Sequence, residues 1–133
     1  MIAKPDKDAA PDYDEITRVI QLYFDGWKGD INKFREAFHE DAWIFFTNGE
    51  GVFRACPLTE RFEPWVAANR QMKGDIISVT QAGDVASVLL RLDNTADPSD
   101  TWVDIHALQR IDGIWKITNK TAVHSSQGGW AGK

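Results

Sequence analysis

Apolar residues recur at helical spacing in the first part of the chain, which predicts amphipathic helices there. Asp12 precedes the first run and predicts its N-cap, while Gly26 and Gly29 mark its end. Asp30 then predicts the cap of a second, shorter helix. The apolar positions of the first helix are Ile16, Val19, Ile20, Tyr23, Phe24 and Trp27, and those of the second are Ile31, Phe34, Ala37 and Phe38.

Short β-rich runs fill most of the remaining chain and are separated by turn residues. Between residues 59 and 70, Phe62, Trp65 and Val66 return to helical spacing, with Pro64 suited to a first turn. Helices first and a four-strand meander afterwards, without βαβ alternation, predict an α+β fold. The predicted strands are residues 43–46, 52–56, 75–81, 85–92, 101–111 and 114–123.

The length of 133 residues suits a single domain, which we expect to cover residues 12–124. Residues 1–11 show no periodic apolar pattern and are expected to form a flexible N-terminal arm. Residues 125–133 are expected to form a flexible C-terminal tail, although this tail carries Trp130.

The last hairpin has the strongest turn signal, because Asp112-Gly113 favours a two-residue turn that places Ile111 opposite Ile114. Strict alternation from that turn assigns Lys120 to the outer face of the sheet. The predicted inner face holds Trp102, Asp104, His106, Leu108 and Arg110, opposed by Trp115, Ile117, Asn119, Thr121 and Val123. Polar side chains among aromatic ones on such a face are typical of a ligand site.

Composition removes several classes of function. A formal net charge of −5 without a basic patch argues against a nucleic-acid partner. No apolar run approaches the roughly 18 residues of a membrane span, and the single Cys56 fits a reducing compartment, so we expect a cytoplasmic protein. Six Trp exceed what a minimal core needs and predict a concave or shared aromatic surface.

The ordered segments ITRVIQLYFDGWKGD, FHEDA, AGDVASVLL and WVDIHALQRIDGIWKITNK resemble the putative lumazine-binding group of the nuclear transport factor 2-like superfamily. The likeness covers residues 12–123, places Lys120 at the family's recurrent lysine, and extends more distantly to SnoaL-like polyketide cyclases and ketosteroid isomerases. It implies a cystatin-like cone, with N-terminal helices packed on a curved mixed or antiparallel sheet, a deep pocket between them, and a homodimer through the outer sheet face. The acidic residues of ketosteroid isomerases have no clear counterpart here, so their mechanism is not carried over.

Asp104 and His106 are the candidate catalytic pair. They lie two residues apart on one strand, where the carboxylate can orient the imidazole as a general base. The alternative is a structural hydrogen-bonded network that includes Asn119. The candidate ligand-binding residues are Tyr23, Trp27, Trp43, Trp65, Trp102 and Asn119, although aromatic stripes also occur in plain cores.

Three functions fit these features, since one fold of this kind hosts several. The first is a pocket protein that holds a planar or polycyclic small molecule without a cofactor, a nucleic-acid partner or a membrane. The second is a cofactor-free isomerase, dehydratase or cyclase using His106 and Asp104. The third is a dimerisation module with a vestigial pocket. No metal is expected, because the spacing of His39, His106 and His124 matches no metal motif.

Overall fold

A computed structural model describes residues 10–126 of the chain, so most of the predicted N-terminal arm and of the tail, including Trp130, lie outside the described residues. The helices are α1 (Tyr13–Gly26), α2 (Ile31–Ala37) and α3 (Phe62–Ala68), and a short 3₁₀ turn (Leu58–Glu60) precedes α3. The strands are β1 (Phe38–Thr47), β2 (Phe53–Pro57), β3 (Met72–Ala82), β4 (Val85–Asn94), β5 (Thr101–Ile111) and β6 (Ile114–His124).

The six strands form one mixed sheet in the order β2-β1-β6-β5-β4-β3. Strands β3 to β6 are the predicted antiparallel meander, and β1 joins it by pairing parallel to β6. The predicted α+β class is therefore confirmed. Within residues 10–126 no helix is both long enough and apolar enough to cross a membrane.

The helices cover the inner face of the sheet with the residues that their spacing predicted. Helix α1 buries its apolar stripe completely at Ile16, Ile20 and Tyr23. Gly74 in β3 allows this close packing, because a Cβ atom there would overlap the ring of Phe24. Buried aromatic side chains of α2, β1 and α3 complete this core; they are Phe34, Phe38, Phe62 and Trp65.

The two predicted helix caps have different outcomes. Asp30 caps α2 as predicted, since its carboxylate accepts a hydrogen bond from the backbone N–H of Asn32 at 3.0 Å. Asp12 stands at the N-cap position of α1, but its side chain makes no capping hydrogen bond, so that prediction is wrong. Its Oδ2 atom instead accepts from Arg110 Nη1 at 2.8 Å and from Gln81 Nε2 at 3.0 Å. Asp12 therefore ties the start of α1 to the sheet.

A β-bulge in the last hairpin changes which side chains face inward. The turn places Ile111 opposite Ile114, as predicted, and the register holds as far as Leu108 opposite Ile117. Thr118 is then an extra residue, so Ala107 pairs with Asn119 and His106 with Lys120. The alternation of β6 is reversed beyond the bulge, and Lys120 points into the core while Asn119 points outward. The predicted faces of these two residues are wrong for this reason.

Candidate functional site

Four buried polar side chains meet at a single carboxylate oxygen on the inner face of the sheet. Oδ2 of Asp104 accepts a hydrogen bond from the Tyr23 hydroxyl at 3.0 Å and contacts His106 Nε2 at 3.1 Å. Lys120 Nζ lies 3.4 Å from the same oxygen. Asp104, His106 and Tyr23 are fully buried, and Lys120 is 4% exposed. We refer to these four residues as the Asp104 cluster.

Three structural elements assemble the Asp104 cluster. Asp104 and His106 alternate onto the inner face of β5, and Tyr23 comes from the buried stripe of α1. Lys120 reaches the cluster because of the bulge at Thr118. An ionised side chain in a closed core is strongly unfavourable unless it is paired, so these contacts are required for the fold as well as available for function.

The charge states of Asp104 and Lys120 follow from their mutual contact. Burial alone raises the pKa of Asp104, but the Lys120 ammonium and the hydrogen bonds from His106 and Tyr23 outweigh it and hold that pKa below its usual range. Burial lowers the pKa of Lys120, and the charges of Arg70 and Arg61 lower it further, while Asp104 opposes the shift. We therefore assign a carboxylate paired with an ammonium.

His106 and Tyr23 are the neutral members of the cluster. Burial lowers the pKa of His106 despite the neighbouring carboxylate. Burial and the charge of Asp104 raise the pKa of Tyr23 well above its usual value. Because Asp104 Oδ2 is an acceptor, the imidazole proton belongs on Nε2. His106 Nδ1 and Asp104 Oδ1 are both buried and have no hydrogen-bond partner among the described residues.

A cavity of about 70 Å³ lies beside the Asp104 cluster and touches it through Lys120. Its buried walls are Trp27, Ile44, Trp65, Leu92 and Lys120. Its partly exposed members, Phe46, Arg61, Arg70, Met72 and Trp102, form the mouth. The cavity therefore combines flat aromatic walls with three basic side chains, and none of its lining residues within 10–126 is a carboxylate.

Asp100, which does not line the cavity, holds the side chains of Trp102 and Arg70 at the cavity mouth. It accepts hydrogen bonds from Trp102 Nε1 at 3.0 Å and from Arg70 Nη1 at 3.2 Å. Asn94 Nδ2 donates to it at 3.0 Å as well. Burial raises the pKa of Asp100, but these donors more than compensate and the pKa is lowered. An ionised Asp100 thus holds the Trp102 indole and the Arg70 guanidinium in place.

The structure brings together only part of the predicted site. Trp27, Trp65 and Trp102 line the cavity, and Tyr23 lies behind it in the Asp104 cluster. Trp43 and Asn119 do not line it; they are register neighbours on the outer face, where Trp43 is 45% exposed. Their predicted inward position is wrong. The bulge turns Asn119 outward, and Trp43 points the same way because it pairs with Asn119 in the sheet.

The predicted catalytic pair lies in the cluster but not at the cavity wall. Among residues 10–126, the cavity lining includes Lys120 but neither Asp104 nor His106. The rings of Tyr23 and Phe38 pack against the imidazole, with centroids 4.6 and 5.9 Å away. A catalytic role for His106 and Asp104 therefore remains a prediction.

Sequence reasoning missed the apolar cavity residues Ile44, Phe46, Met72 and Leu92, and it missed all three basic ones. Strict alternation predicts an outward Lys120, and no residue pattern marks the bulge that turns it inward. Arg61 and Arg70 flank α3 just outside its two ends, where a basic residue is ordinary surface chemistry. Within the described range, no three His, Cys, Asp or Glu side chains converge on a point that could hold a metal ion.

The chain has an α+β fold in which three helices pack on a six-stranded mixed sheet. Residues 11–121 match the family described as putative lumazine-binding. The chain belongs to this family, as its sequence segments indicated. Among curated proteins, no relative matches the chain.

Solved structures with the same architecture support the fold. A nuclear transport factor 2-like protein of unknown function from Methylobacillus flagellatus is 25% identical, with 92% of this chain and 98% of that chain covered and a TM-score of 0.77. A domain of unknown function with a cystatin-like fold from Nostoc punctiforme is 17% identical and has a TM-score of 0.70. The match covers 86% of this chain and 78% of that one. A putative ketosteroid isomerase from Shewanella frigidimarina is 18% identical, with 81% and 94% covered and a TM-score of 0.61. The predicted nuclear transport factor 2-like, cystatin-like fold is confirmed.

We expect Asp104 and Lys120 to be strongly coupled in stability. Asp104→Asn should destabilise the protein by about 3 kcal/mol, because the Lys120 ammonium loses its buried counter-charge. Lys120→Met should have a similar cost, and the double variant should be less destabilised than the sum by at least about 1 kcal/mol. Urea denaturation of the four proteins measures this cycle.

The matched control for this cycle is the exposed pair Lys73 and Asp75, whose charged atoms are 3.9 Å apart. Lys73→Met and Asp75→Asn should couple by less than about 0.5 kcal/mol, because water screens an exposed pair. Additive effects at Asp104 and Lys120 would contradict the ion pair that we assign.

His106 should make the protein less stable as the pH falls below about 6.5. The unfolded chain takes up a proton there at its ordinary pKa, whereas the lowered pKa of buried His106 delays protonation of the folded state. Acidification from about pH 7.5 to 5.5 should therefore cost the native protein about 1 kcal/mol more than the His106→Gln variant. Urea denaturation at both pH values tests this, and an unchanged slope in the variant would refute it.

Proposed function

We propose that the protein binds a small planar organic molecule in the cavity beside the Asp104 cluster. The observation that carries this proposal is the lining: three indole side chains, of Trp27, Trp65 and Trp102, surround a cavity that also exposes basic groups. Flat apolar walls with a few convergent polar groups are typical of ligand sites. The family description points in the same direction, since it is putative lumazine-binding.

The size of the cavity narrows the ligand class. Its volume of about 70 Å³ exceeds the ~10–15 Å³ needed for one water molecule but is well below the roughly 300 Å³ of a drug-sized site. This favours a compound with one or two planar rings over the polycyclic compounds that the sequence also allowed. A larger ligand would require Met72 or Arg61 at the mouth to move aside.

A binding role is favoured over catalysis by the position of the imidazole. A general base must come within hydrogen-bond reach of the proton that it removes. His106 packs against Tyr23 and Phe38, and of the four cluster residues Lys120 alone lines the cavity. The ketosteroid isomerase likeness at 18% identity concerns the fold, so it adds no chemistry to this chain.

We expect lumazine or a similarly small planar heterocycle to raise the melting temperature and quench tryptophan fluorescence. Ligand at 100 times its Kd should add about 2.7 kcal/mol to the free energy of unfolding. Trp102→Ala should weaken binding by about tenfold or more through lost stacking. Trp43→Ala removes an exposed indole instead and should leave the affinity unchanged.

A panel of pterins, flavins, steroids and aromatic polyketides would extend this test to larger ligands. Circular dichroism of Trp102→Ala shows whether the variant is folded. Equal effects of the two Trp variants, or no thermal shift with any compound, would favour a dimerisation module with a vestigial pocket.

We further propose that the chain forms a homodimer through the outer face of the sheet. Large apolar side chains on this face are well exposed, among them Trp43, Phe53 and Ile105, the last two at 64% and 50%. Phe45 stacks between Trp43 and Phe53 at centroid distances of 6.3 and 6.4 Å. Contiguous exposed apolar surface of this kind marks interaction sites, and the same face on a second copy is its natural complement.

Ile105→Glu should convert the dimer into a monomer, because it places a charge in the middle of this apolar face. Val52→Glu is the matched control, since Val52 is exposed outside the strands in the β1–β2 connection. Sedimentation velocity or light scattering measures the mass. A native protein that is monomeric, or an Ile105→Glu variant that stays dimeric, would refute this interface.

A further inference from the structure

We infer that the ligand of this cavity is an anion, specifically a small aromatic acid whose carboxylate is bound by Arg61 with Arg70 and Lys120 beside it. This inference rests on the proposed binding function and adds the charge of the ligand to it. The three basic side chains all line the same cavity, and no acidic side chain from the described part of the chain does. This distribution is unexpected on a chain whose formal net charge is −5.

Among the three basic residues of the cavity, Arg61 is the one without a hydrogen-bond acceptor or a carboxylate partner within the described residues. Within residues 10–126, its side chain forms no hydrogen bond or ion pair, and its Nε atom is buried without a partner. Its guanidinium carbon lies over the ring of Phe46, 5.9 Å from the ring centroid. A buried N–H donor without an acceptor is costly, and a carboxylate fits the two-pronged geometry of a guanidinium.

Arg70 and Lys120 are each paired with an anion, so Arg61 carries the excess positive charge of the three. Each has one carboxylate, Asp100 for Arg70 and Asp104 for Lys120, and both carboxylates lie outside the cavity lining. The cavity therefore faces three cations that share two anions. One further negative charge would balance the set, and this is the charge of a monocarboxylate.

Like charges in this aromatic enclosure also affect one another. After burial, the charges of Arg70 and Arg61 are what lower the pKa of Lys120. An anion between them would relieve this repulsion, because opposite charges interact more strongly in a region of low dielectric. The aromatic walls then suit the ring of the same ligand. Arg70 already lies over the ring of Trp27 at 4.9 Å, and Lys120 over that of Trp65 at 5.4 Å.

The test compares two probes of nearly equal shape, 4-fluorobenzoate and 4-fluorobenzamide, by fluorine NMR titration of the full chain. Benzoate should bind at least about tenfold more tightly than benzamide, because charge-assisted hydrogen bonds are stronger than neutral ones. Arg61→Gln should reduce that preference by about tenfold, with benzamide affinity unchanged within about twofold. Arg18→Gln, which removes the same charge from the exposed face of α1, should leave both affinities unchanged.

The outcomes separate this inference from the proposed function. If benzamide binds as tightly as benzoate, or if Arg61→Gln lowers both affinities equally, the anionic ligand is refuted while the planar-ligand pocket stands. If neither probe binds, both are refuted for single-ring compounds. Circular dichroism of Arg61→Gln shows that any loss is not unfolding, and Arg61→Lys, which keeps the charge, should retain part of the preference for benzoate.

Discussion

Asp104 holds a negative charge in a closed core, and a carboxylate is tolerated there only because three donors meet its Oδ2 atom. Each donor reaches this oxygen only because a particular structural element is placed correctly. Tyr23 fixes the rotation of α1, His106 follows from the alternation of β5, and Lys120 requires a bulge in β6. Inside the apolar core, the helix layer and the sheet are thus joined through this buried carboxylate. This makes the position of the neighbouring cavity wall equally well defined.

Most of the fold could be predicted from local signals. The spacing of apolar residues locates α1 and α2, Asp30 caps its helix, and Asp112-Gly113 sets the hairpin register as far as Leu108 and Ile117. These features depend on residues close together in the chain. Where a side chain binds a residue that is distant in sequence, local signals do not predict the contact. Asp12 has the residue type and position of an N-cap, yet its carboxylate binds Arg110 and Gln81, which are distant in sequence.

The candidate site was less predictable because one extra residue reverses a strand. Strict alternation placed Asn119 inside and Lys120 outside, and Thr118 exchanges them by leaving the ladder unpaired at one position. The aromatic residues of the site were easier to predict, since Trp27, Trp65 and Trp102 line the cavity. Trp43 does not, because a two-sided apolar sheet gives an indole two possible faces. Arg61 and Arg70 carry no distinguishing pattern, and only the folded chain shows that both turn toward one space.

The relation between the cluster and the cavity determines which kind of chemistry the site can support. His106 has a suitable neighbour in Asp104, but the imidazole packs against the rings of Tyr23 and Phe38 and does not line the cavity. Lys120 is the single residue that belongs to both. A ligand in the cavity would therefore contact the Lys120 ammonium and not the Asp104 carboxylate. Asp104 would influence that ligand only by pairing with the charge of Lys120, and it could not accept a proton from it. Under the binding role that we propose, the Asp104 cluster presents only the Lys120 ammonium to the cavity, and a ligand would be recognised through that cation.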